Sequence, residues 1–427
     1  MSSYLISGKS TIKGKVKISG NKNAALPCLV ASLLTTEKVV LKNIPEIEDV
    51  KVMISLLEEC GSKITRIDYN TYEIYSKEQK DCVKLSKKAG LLRASILLAG
   101  SFSSLKVDLI LPPPGGDVIG YRRLDQHFKV LEKLGTSCGI DDSGLISFKT
   151  KNKKGTFVYL EQASVTATEN AILAAIYAEG NTELYNVACE PHIQDLCNML
   201  KAMGSNISGI GSNLLKIEGT TKLSGCTFTI GPDYMEAGSF IGLAAASRGE
   251  LLLENVNIQD IEILRSGFKK LGIEISKKDE NSIFVGKQQK CWIEKTLDKK
   301  TIKIDDAPWP GFPTDLLSIL IVVATQMNGT VLIHEKMFES RLYFVDWLIR
   351  MGADIIQCDP HRVVVHGPSS LKCADLTSPD VRAGMALLIA SICAEGKSKI
   401  QNIYQIERGY ENICEKLKNI GVLIKRE

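Results

Sequence analysis

The sequence predicts an α/β protein of two domains, each assembled from three copies of one unit, with a cleft between the domains. Three observations predict it. The chain has 427 residues, more than one hydrophobic core usually serves. A unit of roughly 70 residues recurs six times along it. Each copy opens with an Ala-rich helix that is apolar nearly all round, the pattern of a buried helix rather than a surface one.

Every copy runs through the same elements. A polar or charged residue starts the apolar helix; a short strand, a loop and a second helix follow. The second helix ends in Leu-x-x-(Leu/Met/Ile)-Gly or a close variant, at Gly61, Gly135, Gly204, Gly272, Gly352 and Gly421. A glycine just past a helix end is the expected left-handed cap. The spacing predicts first helices over 24–34, 93–100, 168–178, 237–247, 314–326 and 382–394. Second helices such as 48–59, 193–203 and 343–351 are amphipathic and belong outside. Alternating runs after each glycine, such as 62–75 with a turn at Asp68-Tyr69-Asn70, read as hairpins. The last copy stops after one strand, 422–425, and the strand-like run 4–18 is the expected partner. The domains are therefore 21–230, and 1–20 plus 231–427. The chain crosses between them near 19–21 and 231–233, which makes a hinge for closure around a ligand.

Composition excludes several classes. With 44% hydrophobic and 24% charged residues the chain reads as an ordinary globular protein. A net charge of +4, with no block of like charges, gives no case for nucleic acid. The twelve cysteines are scattered singly, so they read as reduced, buried small apolar residues of a cytoplasmic protein, not a zinc ribbon or redox centre. The start, MSSYLISGKS, is no signal peptide, and the longest apolar run, 316–324, is too short to span a bilayer. The five histidines have no metal-ligand spacing, and no phosphate-binding P-loop, Rossmann fingerprint or H-E-x-x-H occurs.

One connection departs from the repeat. In the second copy it reads LPPPGGDVIGYRRLDQH, residues 111–127. Three prolines forbid helix, Gly115-Gly116 frees the backbone, Asp117 follows, and Arg122-Arg123 form a basic root. It reads as a hinged loop, 112–123, carrying one acid group over the cleft. Taken alone, Asp117 also reads as a turn residue.

The residues opening the six buried helices are Lys22-Asn23, Arg93, 164–168, 233–236, Thr314-Asp315 and 380–382. Helix N-termini offer unpaired N–H groups and partial positive charge, a setting for phosphate. With Lys22, Arg93, Arg122, Arg341, Arg382 and Arg408 they would line a cleft for small polyanions. Asp380, Asp315 and Thr314 also read simply as caps.

Nine segments in order resemble the UDP-N-acetylglucosamine enolpyruvyl transferases. They are SGNKNAALP (19–27), LLRAS (91–95), PPGGDVIGYRRLDQHF (113–128), SVTATEN (164–170), PDYMEAGSF (232–240), GFPTDLL (311–317), MFESRLYFV (337–345), SPDVRAGMALL (378–388) and ERGYENI (407–413). The resemblance implies two inside-out, barrel-like α/β domains, each of three βαβαββ units. It implies transfer of enolpyruvate from phosphoenolpyruvate to the 3′-hydroxyl of UDP-N-acetylglucosamine with release of phosphate, the first committed step of peptidoglycan synthesis. No metal or organic cofactor is implied, and the partners are these two small molecules, not nucleic acid or membrane.

Carried over by position, the resemblance puts Lys22 on phosphoenolpyruvate and Asn23 beside both substrates. Arg93, Arg122 and Arg408 would bind phosphate or carboxylate oxygens, which a planar guanidinium engages two at a time. Arg341, Asp380 and Arg382 fall at substrate-contacting positions. Arg123, Leu124, Gln162, Ser164, Val165 and Met337 would border the uridine and diphosphate. Asp315 would hold the sugar hydroxyl and take its proton. Asp117 would protonate C3 of phosphoenolpyruvate. Most members carry cysteine at that position, and a carboxylic acid does this work only while protonated, so burial against phosphate is expected to raise its pKa. Aspartate cannot form the thioether by which fosfomycin inactivates the cysteine form, so resistance is expected. Gln162 and Cys189 also depart from the family, standing where basic residues are frequent. The sister enzyme acting on shikimate 3-phosphate shares the fold and is the first alternative; a non-catalytic nucleotide sensor is the second.

Overall fold

The six helices that the sequence marks as apolar all round are buried in the computed structural model, which describes residues 2–77, 82–117, 119–120, 122–287 and 290–427. Val381–Cys393 and Leu317–Ala324 have no exposed face at all. A helix with no polar stripe satisfies its own backbone and is stable only when every face meets other apolar groups. Small residues allow the close approach. A Cβ on Gly242 would stand 2.2 Å from the Ile319 side chain of the neighbouring helix.

The chain divides into two units, Gly20–Gly116 with Arg122–Gly231, and Met1–Ser19 with Asp117–Tyr121 and Pro232–Glu427. The loop 112–123, expected inside the 21–230 domain, is thus split, its segment Asp117–Tyr121 grouping with the other unit. Val118 and Tyr121 of that loop lie outside the described residues.

Each unit holds three four-stranded sheets with one topology. In the first, Val39–Lys42 runs parallel to Thr227–Thr229 and antiparallel to Thr71–Tyr75, which pairs with Lys63–Asp68. Asp108–Leu111 and Asn181–Tyr185 take the same central place in the next two sheets. In the other unit the central strands are Glu250–Glu254, Gly329–His334 and Lys397–Gln401. The N-terminal strand Ser3–Ser7 pairs with both Lys397–Gln401 and Leu423–Arg426 and completes the last copy. Lys13–Lys17 supplies the first strand of the copy built on Glu250–Glu254. The six terminal glycines all have positive φ, from 76° to 106°.

The inside-out arrangement is present in each unit, with helices in the core. The sheets, six four-stranded ones among the described residues, do not close into barrels. Three first helices are mixed. Arg93–Leu97 and Thr314–Leu316 are 3₁₀ turns leading into Leu98–Leu105 and Leu317–Ala324, and Lys22–Ala31 ends in the 3₁₀ turn Ser32–Leu34. No described helix is long and apolar enough to cross a membrane.

Candidate active site

The candidate residues fall into two constellations, one in each unit. In the unit containing residues 20–116 and 122–231, Lys22 opens the helix Lys22–Ala31 and is paired at once. Its Nζ lies 2.8 Å from Asp49 Oδ2, and both side chains are almost fully buried. Asn23 donates its N–H to the Asn21 side chain, the helix cap.

Arg93 begins its 3₁₀ turn because Leu92 before it is extended. Its Nη2 donates to the Arg122 carbonyl at 2.8 Å, so the turn grips the root of the proline–glycine loop. Burial, and then the like charge of Arg122, push the Arg93 guanidinium down to about 10. A cation held near a second cation at this cost is a place for an anion. The loop glycines are wedged rather than merely free. A Cβ on Gly115 would stand 2.1 Å from the Gly90 carbonyl oxygen; one on Gly116, at φ 109°, would stand 2.6 Å from Arg122 Nη2.

Beyond the root, Arg123 is exposed and ion-paired with Asp125, and Leu124 precedes the helix Asp125–Lys133 without a side-chain cap bond. Ser164 caps Val165–Ala175 through the Ala167 N–H, and Gln162, exposed, accepts the Ser164 N–H on its carbonyl at 2.7 Å. A buried network ties these pieces together. Asn170 accepts the Gly100 N–H on Oδ1, then donates from Nδ2 to the Ile96 carbonyl and to His127 Nδ1, 2.8 Å away. His127 Nδ1 is therefore the acceptor and Nε2 carries the proton, facing Thr166 Oγ1 at 3.1 Å. Burial, then the charge of Arg93, push His127 down to about 3.

In the other unit Asp315 sits between two guanidiniums. Its Oδ1 accepts from Arg341 Nη2 at 2.8 Å and its Oδ2 from Arg382 Nε at 3.0 Å. Arg341 and Arg382 are 4% exposed, and two of their N–H groups, Arg341 Nε and Arg382 Nη1, have no hydrogen-bond partner among the described residues. Buried donors left open in this way suit an anionic ligand. Asp380 caps Val381–Cys393 with the N–H groups of Arg382 and Ala383, and burial raises its carboxyl above the usual range. Arg408 Nη1 stands 3.5 Å from Asp117 Oδ1. The Ile119 carbonyl accepts the Ser340 N–H, which seats this part of the loop on the segment that carries Met337, itself 39% exposed, and Arg341.

The helix starts read as a setting for phosphate are mostly closed by their own caps. Side chains of Asn21, Ser164, Asp233 and Asp380 already accept first-turn N–H groups; Arg93 and Thr314 begin without a side-chain cap bond. The capping reading thus holds for Asp380, whose short side chain satisfies the orphan donors locally, and not for Thr314 and Asp315, whose turn begins without a side-chain cap bond.

Comparison with known proteins sharpens this chemistry. Residues 6–417 match the family model described as EPSP synthase (3-phosphoshikimate 1-carboxyvinyltransferase). The UDP-N-acetylglucosamine 1-carboxyvinyltransferase of Treponema denticola is 53% identical over 425 residues, covering 100% of this chain and 99% of that protein. That of Treponema pallidum is 50% identical, with full coverage of both. The chain belongs to the UDP-N-acetylglucosamine 1-carboxyvinyltransferase family. Two solved structures share the fold at 18% identity. The enolpyruvyl transferase NikO of Streptomyces tendae has a TM-score of 0.86 over 100% of this chain and 98% of its own. The EPSP synthase of Acinetobacter baumannii has 0.77 with full coverage of both.

For a member of this family, sequence reasoning missed Asp49, His127, Asn170 and Glu335. Asp49 left one trace, an acid in the first turn of Glu48–Glu59. His127 has no metal-ligand spacing, and its partners lie about 40 residues away and more, beyond any local pattern.

Proposed function

We propose that the chain transfers enolpyruvate from phosphoenolpyruvate to the 3′-hydroxyl of UDP-N-acetylglucosamine, in the cytoplasm, and that this begins peptidoglycan synthesis. The observation that carries the reading is full-length identity of 50% and 53% with relatives bearing that activity in their names. The arginine-rich chemistry supports it, because the substrates bring a phosphate, a carboxylate and a diphosphate.

In this reading Lys22, Arg93, Arg122 and Arg408 neutralise the oxygens of phosphoenolpyruvate. Asp117, in its protonated form, gives its proton to C3, which leaves C2 electron-poor. The sugar 3′-oxygen attacks C2 while its proton passes to Asp315. The tetrahedral adduct then loses a proton from C3 and inorganic phosphate from C2, restoring the double bond. Asn23, Arg341, Asp380 and Arg382 orient the reacting groups; Arg123, Leu124, Gln162, Ser164, Val165 and Met337 border the nucleotide.

Phosphate release from phosphoenolpyruvate tests the reading, measured with UDP-N-acetylglucosamine and, in parallel, with shikimate 3-phosphate. Release only with the sugar nucleotide is expected. Release only with shikimate 3-phosphate overturns the substrate, and tight nucleotide binding without release overturns catalysis.

A further inference from the structure

The carboxyl group of Glu335 joins more of the Asp315 constellation than any residue assigned to it above. Glu335 follows the strand Gly329–His334 and is fully buried. Its Oε1 accepts the N–H groups of Met337 at 2.9 Å and Phe338 at 3.1 Å. Its Oε2 accepts the Thr314 hydroxyl at 2.6 Å and lies 3.8 Å from Arg341 Nε. Thr314 precedes Asp315, and Arg341 gives Nη2 to Asp315. Glu335, Thr314, Asp315 and Arg341 thus close a ring, from which Met337 and Phe338 also hang.

A second fully buried carboxyl, Asp306, faces it. Asp306 Oδ1 accepts the Lys336 N–H at 2.6 Å, while Oδ2 has no hydrogen-bond partner among the described residues. Two adjacent carboxylates do not both ionise in a buried site, and a proton on one gives the orphaned oxygen of the other a donor. The other charged groups around the pair are few. Arg341 is paired with Asp315 and also feels the charges of Asp380 and Asp117. The Lys336 ammonium turns away to Asp305, and His361 gives Nδ1 to the backbone carbonyl of Glu335, not to its side chain.

We propose that Glu335 is a positioning residue for the reaction: sharing one proton with Asp306, it fixes Thr314 and Arg341 so that Asp315 stays aligned with the sugar hydroxyl. Loss of the shared proton leaves the Glu335 carboxylate fully charged beside Arg341. It then competes with Asp315 for the guanidinium and the alignment relaxes. Burial, and then Asp306, push the Glu335 carboxyl up to about 8, so the relaxation falls on the alkaline side of neutrality.

The inference rests on the reading under Proposed function, and the test separates the two. Turnover of the wild-type chain with phosphoenolpyruvate and UDP-N-acetylglucosamine is measured first, since its absence overturns that reading, and this inference with it. With turnover established, kcat is followed from pH 6 to 10 for wild type, Glu335→Gln and Glu335→Ala. Wild-type kcat is expected to fall above about pH 8. Glu335→Gln is permanently neutral and its amide can donate to Asp306; it is expected to stay within about threefold of wild type at pH 7 and to lose that alkaline limb. Glu335→Ala is expected to lower kcat about tenfold or more, with the KM for the nucleotide changed much less. An unchanged alkaline limb in Glu335→Gln overturns the proposal, and this variant decides the matter should Glu335→Ala fail to fold.

Discussion

Lys22 and Asp49 form an ion pair with almost no access to water: Nζ and Oδ2 are 2.8 Å apart, and the side chains are 13% and 4% exposed. The pair fastens the starts of two helices of one repeat, Lys22–Ala31 and Glu48–Glu59. It also fixes the ammonium that the proposed chemistry gives to phosphoenolpyruvate. Removing the acid strands a buried charge, so Asp49→Ala is expected to cost about 3–5 kcal/mol of stability. The kcat/KM for phosphoenolpyruvate is expected to fall about tenfold or more, with nucleotide affinity kept. Urea unfolding and steady-state kinetics read the two effects separately. Wild-type behaviour in both would mean that Lys22 needs no partner.

Asp117 stands 3.5 Å from Arg408, near enough for charge attraction but beyond a short hydrogen bond. Asp117→Asn keeps the size and removes the acid. Turnover is expected to drop by about three orders of magnitude while calorimetric binding of UDP-N-acetylglucosamine persists. The wild-type chain is expected to survive incubation with fosfomycin, and Asp117→Cys to be inactivated with a stoichiometric mass gain. Inactivation of the wild type would show that the drug does not act through residue 117.

The architecture was legible because it is repeated. Six glycines at helix ends, helices without a polar face and a strand lacking its partner carry fold information within windows of a few residues. Ser3–Ser7 pairs with Leu423–Arg426 as the unfinished last copy requires. The starts at Arg93 and Thr314 were less legible, since a 3₁₀ turn and an α-turn share nearly the same side-chain pattern over three to five residues. Arg93, Asp315 and Arg382 were visible as charges at repeat positions, and Arg122 as the basic root of the loop that departs from the repeat. Asp49, His127 and Glu335 were not, because each matters through a partner that the chain supplies from a distant segment.

His127 carries a pH prediction. Its folded value of about 3 lies below the ordinary 6.5, so the neutral ring is the folded form. Its contribution is complete above about pH 6.5 and is lost as pH falls toward 3, at about 1.4 kcal/mol per pH unit. Other buried acids titrate in the same range, so the difference between wild type and His127→Asn isolates the histidine. From pH 7 to 5 wild type is expected to lose about 2 kcal/mol more than the variant in urea unfolding. Equal losses would mean that the folded ring takes up its proton as readily as the unfolded one.

Gly115 and Gly61 separate two reasons for a glycine. At Gly61 a Cβ would meet nothing within 4 Å, but φ is 90°, so Gly61→Ala suffers backbone strain alone. About 1 kcal/mol of stability is expected to go, with kcat untouched. At Gly115 the obstacle is the Gly90 carbonyl oxygen, 2.1 Å from the added carbon, and a backbone atom does not swing aside as a side-chain tip does. Gly115→Ala must therefore push the loop outward, and Asp117 lies two residues on. Its kcat is expected to fall about tenfold or more, because a displacement near 1 Å spoils a proton transfer. Its melting temperature should fall no further than that of Gly61→Ala, since the loop yields more easily than the sheets. Were Gly115→Ala to turn over normally, the close approach to Gly90 would serve folding rather than the placing of the acid.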